Sequence, residues 1–203
     1  MSLLRWATNR HVVSESGYSL LELLIVIVIT GLIALPLSTF LIKGLSSYNF
    51  IQAQSDTALE LQTLSDRVTK VVRGATSLDT ASPDTLIVYA YFSPQDTVID
   101  KVRYFVNGTN LNIGVTPPTG TAPSYTYLPA NEKFYTTRID LAMGTASLFT
   151  YYDDADNLLT GSFLPSQVKE VGLYVAANPN AKQVPVPISI STKVTLRNLK
   201  TNL

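Results

Sequence analysis

The hydrophobic positions divide the first third of the chain into two patterns. Residues 18–42 are apolar almost throughout, and Glu22 is the only charged side chain among them. After Ser46 the pattern becomes one apolar stripe at spacings of three and four residues, formed by Ala58, Leu61, Leu64, Val68 and Val71. Together the two patterns predict one continuous helix from about Tyr18 to Arg73, apolar in its first half and amphipathic in its second.

After Gly74, a good helix stop, runs rich in β-branched and aromatic residues predict strands. The predicted strands span residues 85–92, 98–106, 111–115, 134–141, 146–152, 168–176 and 186–196. Asn107-Gly108-Thr109-Asn110 predicts a hairpin turn between the second and third strands, and the proline-rich residues 116–129 predict a loop. A long helix followed by a series of strands predicts an α+β fold, with the helix packed on a mostly antiparallel sheet.

The apolar stretch is long enough to cross a membrane. Its 25 residues would form a helix of roughly 37 Å, and the hydrocarbon core of a bilayer is about 30 Å thick. Lys43 ends it, and no Ala-x-Ala pattern follows of the kind that ends a secretory signal peptide. Arg5 and Arg10 precede the stretch, so the positive-inside rule places the N-terminus in the cytoplasm and the remainder of the chain outside.

Composition narrows the range of functions. The chain has a formal net charge of zero and no basic stripe, so nucleic-acid binding is not predicted. It has no cysteine, and its one histidine, His11, lies before the apolar stretch. Catalytic Ser–His and Cys–His pairs and thiolate or histidine metal sites therefore have no residues in the remaining chain. We expect no cofactor and no metal, and we expect that the protein is not an enzyme.

Three residues of the apolar stretch call for an explanation. An ionised Glu22 at the centre of a membrane helix would cost about 2.5–3.5 kcal/mol, which predicts a specific partner for it. Gly31 and Pro36 both weaken a helix. Either they form a kink that a membrane helix tolerates, or they bracket a segment that unwinds when the subunit leaves the membrane.

Three features of the C-terminal region have both a structural and a functional interpretation. The acidic segment from Asp153 to Asn157 favours a tight turn, and calcium binding is the alternative. Asn107 begins an Asn-Gly-Thr triplet, which is a hairpin signal or a glycosylation site. Tyr125 and Tyr127, within the proline-rich loop, are the best tyrosine candidates for contact with a partner, although strand tyrosines more often pack across a sheet.

The segment Gly17-Tyr18-Ser19-Leu20-Leu21-Glu22 follows a basic leader and precedes about twenty apolar residues. This combination resembles the cleavage and methylation motif of type IV pilins and type II secretion pseudopilins. Tyr18 stands where phenylalanine is commoner in these proteins. The resemblance implies that prepilin peptidase cleaves between Gly17 and Tyr18, and that the new amine of Tyr18 is methylated. It also implies that Glu22 faces the terminal amine of a neighbouring subunit during assembly.

The resemblance also implies a domain organisation and a set of partners. Residues 1–17 would be the leader, 18–42 the transmembrane and assembly helix, 43–74 its amphipathic continuation, and 75–203 the extracytoplasmic β-rich domain. The partners would be prepilin peptidase, other pilin subunits, an inner-membrane assembly platform and, before assembly, membrane lipid. The protein would begin in the cytoplasmic membrane and end in an extracellular or periplasmic filament.

Two segments resemble the larger minor pilins of the J or W type, which lie near a filament tip. They are residues 148–153 and residues 193–198, the second of which contains Arg197 and Asn198. The role of the filament in secretion, adhesion, DNA uptake or motility stays open. The alternative from a different class is a membrane-anchored extracytoplasmic binding protein that keeps its N-terminus and never polymerises.

Overall fold

The computed structural model describes residues 17–179 and 187–197, with the side chain of Arg138 left out. The leader up to residue 16 and Asn198 lie outside the described residues, as does the predicted first residue of the last strand, Val186. Helix α1 spans Leu20–Arg73, 54 residues without interruption. The predicted continuous helix is therefore present, and it begins two residues later than predicted.

Helix α1 ends as its sequence predicts. The backbone N–H of Gly74 donates to the carbonyls of Lys70 at 3.3 Å and Val71 at 3.1 Å, and Ala75 donates to Val72 at 3.1 Å. Lys70 and Arg73 in the last turn place positive charge at the negative end of the helix dipole. These contacts give partners to carbonyl groups that have none within the helix.

The strands after α1 form two antiparallel sheets. The five-stranded sheet has the order β1-β2-β3-β4-β5, and the four-stranded sheet has the order β7-β6-β8-β9. The strands are β1 (Ser77–Ala81), β2 (Thr85–Ala90), β3 (Asp100–Asn107), β4 (Asn110–Thr116), β5 (Lys133–Asp140), β6 (Phe149–Tyr152), β7 (Leu158–Leu159), β8 (Glu170–Ala177) and β9 (Ile188–Thr195). The predicted α+β class, with a long helix and mostly antiparallel strands, is confirmed.

The β3–β4 hairpin follows the prediction closely. Asn107 pairs with Asn110, which leaves Gly108 and Thr109 as a two-residue loop. Gly108 has a φ of 64°, a conformation that glycine adopts without a steric penalty. The Asn-Gly sequence therefore acts here as a turn.

Two strands were not predicted. β1 is a polar strand with only two apolar residues, and β7 has two residues in all. β1 carries no hydrophobic run and β7 is only two leucines long, so both depend on their neighbours: β1 pairs with β2, and β7 pairs with β6. The strand predicted at residues 146–152 begins at Phe149 in the structure, so its predicted start was three residues too early.

The chain divides into two compact units, with the boundary between Tyr48 and Asn49. In the second unit, the helix residues Leu61, Leu64, Val68, Val71 and Val72 belong to one buried core that includes side chains of both sheets. Among its sheet members are Leu86, Val88, Val102, Tyr104, Phe149, Val171 and Val194. The apolar stripe predicted from the sequence therefore lies against the strands.

Candidate functional site: the N-terminal helix

The first turn of α1 is stabilised by a side chain. Ser19 precedes the helix, and its Oγ accepts a hydrogen bond from the backbone N–H of Glu22 at 3.2 Å. The Ser19 carbonyl accepts from the N–H groups of Glu22 at 3.0 Å and Leu23 at 3.2 Å. Ser19 is thus the N-cap and Glu22 the third helical residue, the spacing of the Ser-x-x-Glu capping box. This spacing is legible in the sequence, but the predicted helix start at Tyr18 did not use it.

The cap places Glu22 at the positive end of the helix. Glu22 is the only acidic residue in the first turn of α1, and it is exposed. A carboxylate at this position is favoured by the helix dipole by about 0.3–1 kcal/mol at an exposed site. The described residues of this unit contain one other charged side chain, Lys43. The carboxylate oxygens of Glu22 are therefore available to a cation supplied from elsewhere.

The side chains around Glu22 are apolar and exposed. Every residue from 17 to 49 is exposed, including Leu20 at 86%, Leu35 at 70% and Phe40 at 72%. The most apolar part of α1 has a mean hydropathy of 2.7, and none of it is buried within the chain. By length and composition, α1 can cross a membrane. An apolar surface of this extent marks a membrane or protein contact.

Gly31 and Pro36 do not interrupt the helix. A side chain at Gly31 would meet no atom within 4 Å, and α1 continues through Pro36. The hydroxyl of Ser38 donates to the carbonyls of Ala34 and, at 3.2 Å, Leu35, and Thr39 donates to the Pro36 carbonyl at 2.9 Å. The hydroxyl groups in this segment thus find partners within the helix, as a segment in lipid requires. Whether Gly31 and Pro36 allow the helix to kink or unwind stays a prediction.

The acidic segment Asp153 to Asn157 forms the turn between β6 and β7. The Asp153 carboxylate accepts from the Asn157 side chain at 3.1 Å and from the N–H groups of Asn157 and Ala155, both at 2.9 Å. The bonds from Asn157 and Ala155 lower the pKa of Asp153. Asp156, with a φ of 62°, pairs with Lys193. The described residues contain no group of three or more His, Cys, Asp or Glu side chains suited to a metal ion.

Tyr125 and Tyr127 lie together at an open cleft beside the five-stranded sheet. The cleft has a volume of about 460 Å³, and all of its lining residues belong to the second unit. The sequence predicted these two tyrosines as candidates for contact with a partner, and the structure brings them to one place.

Comparison with known protein families gives one match. Residues 14–38 match the family model of the prokaryotic N-terminal methylation motif, which is 25 of the 203 residues. The matched segment contains Gly17, Tyr18, Glu22, Gly31 and Pro36. A search of curated proteins found no match to the chain.

The matched motif is the methylation motif of type IV pilin-like proteins, and the match supports a likeness to that class over these residues. The class is structural rather than enzymatic. The single apolar helix near the N-terminus is consistent with membrane anchoring.

Proposed function

We propose that this protein is a structural subunit of a type IV pilus or of a type II secretion-like filament. Prepilin peptidase cleaves it between Gly17 and Tyr18, and the new amine of Tyr18 is methylated. The subunit then polymerises by burying its N-terminal helix among the helices of its neighbours. The second unit, from Asn49 onward, is called the globular unit below. It stays on the outer face of the cytoplasmic membrane until an assembly platform incorporates the subunit.

The observation that carries this proposal is the exposed apolar half of α1 with Glu22 in its first turn. The chain itself buries no residue from 17 to 49, so either lipid or other proteins must cover this surface in the cell. A carboxylate moved into such surroundings is tolerated when it has an opposite charge and hydrogen bonds. In a bundle of such helices, the positively charged terminal amine of a processed neighbour would lie at the level of Glu22.

We further propose that the subunit is a minor pilin or pseudopilin of the J or W type. The support is the resemblance of residues 148–153 and 193–198 to those proteins. In the fold, the first segment includes β6 and the second includes the end of β9, and both strands pair with β8. Phe149, Tyr151 and Val194 from these segments are buried core residues. The resemblance therefore lies in residues that build the second sheet.

Processing is tested by replacing Gly17. A Cβ added at Gly17 would meet no described atom within 4 Å beyond its chain neighbours, so we expect Gly17→Val to keep the fold and to change what the peptidase contacts. In cells that contain the peptidase, we expect the wild-type protein to begin at methylated Tyr18 and Gly17→Val to keep its leader. Gly44→Val is the matched control, because Gly44 is equally open, and it should be processed normally. A wild-type protein that begins at Met1 or Ser2 would overturn the proposal.

The role of Glu22 is tested after cleavage. Glu22→Ala should be cleaved normally, but its incorporation into sheared filaments should fall at least about tenfold, as a loss of about 1.4 kcal/mol or more would produce. Glu60→Ala is the control, since Glu60 is an exposed carboxylate on the same helix. Incorporation of Glu22→Ala at the wild-type level would contradict the pairing of Glu22 with a neighbouring amine.

The alternative function is a membrane-anchored extracytoplasmic binding protein that never polymerises. One observation favours it, namely the open cleft at Tyr125 and Tyr127. The two functions predict different N-terminal residues, and they predict different amounts of the protein in the filament fraction that is sheared from cells. A binding protein would retain its leader and be absent from filaments, whereas a pilin-like subunit would begin at Tyr18 and be present in them.

A further inference from the structure

An open cleft beside the five-stranded sheet has an unusual lining. Nine residues line its volume of about 460 Å³, which lies within the range of about 300–1,000 Å³ usual for small-molecule sites. Seven of the nine carry a hydroxyl group, and no described lining residue is charged. The hydroxyl residues are Thr76, Ser77, Tyr89, Tyr91, Thr97, Tyr125 and Tyr127. We call this site the tyrosine cleft.

The proline-rich loop is held in a defined shape at the cleft. Thr119 and Thr126 form a β-bridge, with backbone hydrogen bonds of 2.8 and 3.0 Å, and their hydroxyl oxygens lie 2.8 Å apart. Tyr125 and Tyr127 flank Thr126. Alternate residues of an extended segment point to the same side, so the bridge directs both tyrosines to the same side of the loop.

Tyr127 is also fixed to the body of the sheet. Its hydroxyl donates to the carbonyl of Ile99 at 2.9 Å, and its ring centroid lies 5.1 Å from that of Tyr89 on β2, at an angle of 58°. Burial, followed by the neighbouring Tyr89, Asp100 and Tyr125, raises the pKa of Tyr127, so its phenol is neutral at physiological pH. The cleft therefore has a rigid aromatic wall before any ligand arrives.

The remaining hydroxyl groups are available to a ligand. Those of Ser77, Thr97, Tyr91 and Tyr125 make no hydrogen bond with another described residue. Tyr91 and Tyr125 are 48% and 37% exposed. The nearest cation, Lys101, is already paired with Asp79 at 3.0 Å and lies over the ring of Tyr89. The cleft thus offers aromatic faces and neutral hydrogen-bonding groups, without a free charge.

We propose that the tyrosine cleft binds a neutral saccharide. The ring faces of Tyr91 and Tyr125 suit the C–H faces of a sugar ring, and the free hydroxyl groups can both donate to and accept from sugar hydroxyls. A proline-rich peptide would also use the aromatic faces. Its backbone carbonyls could accept from the hydroxyls of Ser77 and Thr97, but its prolines have no N–H to donate to them, whereas sugar hydroxyls both donate and accept.

The test uses the full-length chain in a zwitterionic detergent, because maltoside or glucoside detergents would compete for the site. Saturation-transfer NMR would be recorded with maltotriose, chitotriose and mannotriose as probes. We expect transfer to at least one of them, and an affinity reduced about fivefold or more by Tyr125→Ala and by Tyr91→Ala, since each removes an aromatic contact. Tyr135→Ala is the matched control: Tyr135 is 45% exposed on β5, outside the cleft, and its loss should leave the affinity unchanged.

The outcomes separate the possibilities. Absence of transfer to all three probes, or transfer that persists at full strength in both cleft variants, would overturn the proposal. So would binding of a proline-rich peptide that is lost in Tyr125→Ala while the saccharides do not bind. The proposal does not rest on polymerisation, because the isolated subunit is used, and the N-terminus and filament assays would be unaffected by its failure.

Discussion

The apolar residues of the two halves of α1 lie in opposite environments. From Leu20 to Tyr48 no side chain is buried, whereas the half from Asn49 to Arg73 buries six residues against the core. The first half has more apolar residues and is apolar all round, whereas the second half has a single apolar stripe. An apolar stripe can be covered by one sheet, but a helix that is apolar on every face requires surroundings on every side. The comparison explains why one half completes the fold and the other stays exposed within the chain.

The largest expected difference between the halves concerns the stability of the globular unit. Leu61 is fully buried and Leu32 is 67% exposed. Leu61→Ala should lower the free energy of unfolding by about 2–5 kcal/mol, because it removes buried surface and leaves a cavity. Leu32→Ala should change it by less than about 0.5 kcal/mol. Urea unfolding in detergent, followed by near-ultraviolet circular dichroism, measures both. Equal effects would show that the first half also contributes to the folded core.

The second prediction concerns the stability of the first half itself. Pro36 lacks the N–H that would bond to the carbonyl four residues earlier, and no tertiary contact compensates for this within the chain. Pro36→Ala should therefore raise the free energy of local opening around residues 32–40 by about 1–3 kcal/mol. Amide hydrogen exchange in detergent measures it. Leu37→Ala, at an exposed neighbouring position, is the control and should leave the exchange of these amides nearly unchanged.

If Pro36→Ala gives no slower exchange, the segment is not a weak point of the helix, and its predicted unwinding loses its physical basis. If exchange slows and filament formation falls as well, the unwinding is part of assembly. The unfolding of the globular unit should be the same in Pro36→Ala and the wild type, because residues 31–36 make no contribution to its core.

A feature of this molecule could be predicted from the sequence when its interacting residues are close together along the chain. The helix stripe and the Asn107–Asn110 hairpin are local patterns, and the structure contains both. β1 is polar and forms by pairing with β2, so the residues of Ser77–Ala81 alone do not predict a strand. The tyrosine cleft is non-local as well: Tyr125 was a candidate because it lies in the proline-rich loop, but Tyr89 joins it only through the sheet. The Ser19 cap is a local signal as well, because Ser19 and Glu22 have the Ser-x-x-Glu spacing in the sequence.

The third prediction concerns the pH dependence of stability in the second unit. Burial of Asp100, followed by the charge and hydrogen bond of Asp96, raises the pKa of Asp100 to about 6, and Lys133 opposes the shift. The folded state therefore favours protonated Asp100. This contribution to stability is complete below about pH 4, the pKa of an unfolded aspartate, and it is lost as the pH rises through 6.

Asp100→Asn should remove this pH dependence, because asparagine is neutral and can still donate a hydrogen bond. At pH 7 we expect the variant to be more stable than the wild type by about 1–2 kcal/mol, after allowing for solvent screening of the carboxyl group. Urea unfolding at pH 4.5 and pH 7 measures the change. Asp154→Asn, which removes an exposed charge, is the control for net charge. If the stability of Asp100→Asn depends on pH as that of the wild type does, the dependence arises from other titratable groups.

The smallest effect expected, and the one that bears most directly on Glu22, is that of Ser19→Ala. Loss of an N-cap side chain costs about 0.5–2 kcal/mol, and the amides of Glu22 and Leu23 should exchange faster while those beyond the first turn are unaffected. Ser19→Thr should restore the cap, and Ser38→Ala, which removes a hydroxyl bonded inside the helix, should leave the first turn unchanged. The first half of α1 has no tertiary contacts to set the geometry of Glu22, so the cap is the contact within the chain that holds it. If Ser19→Ala frays the first turn and filament incorporation falls with it, the subunit presents a preformed carboxylate to its neighbour. If the turn frays and incorporation is unchanged, the neighbouring amine itself orders Glu22 during assembly.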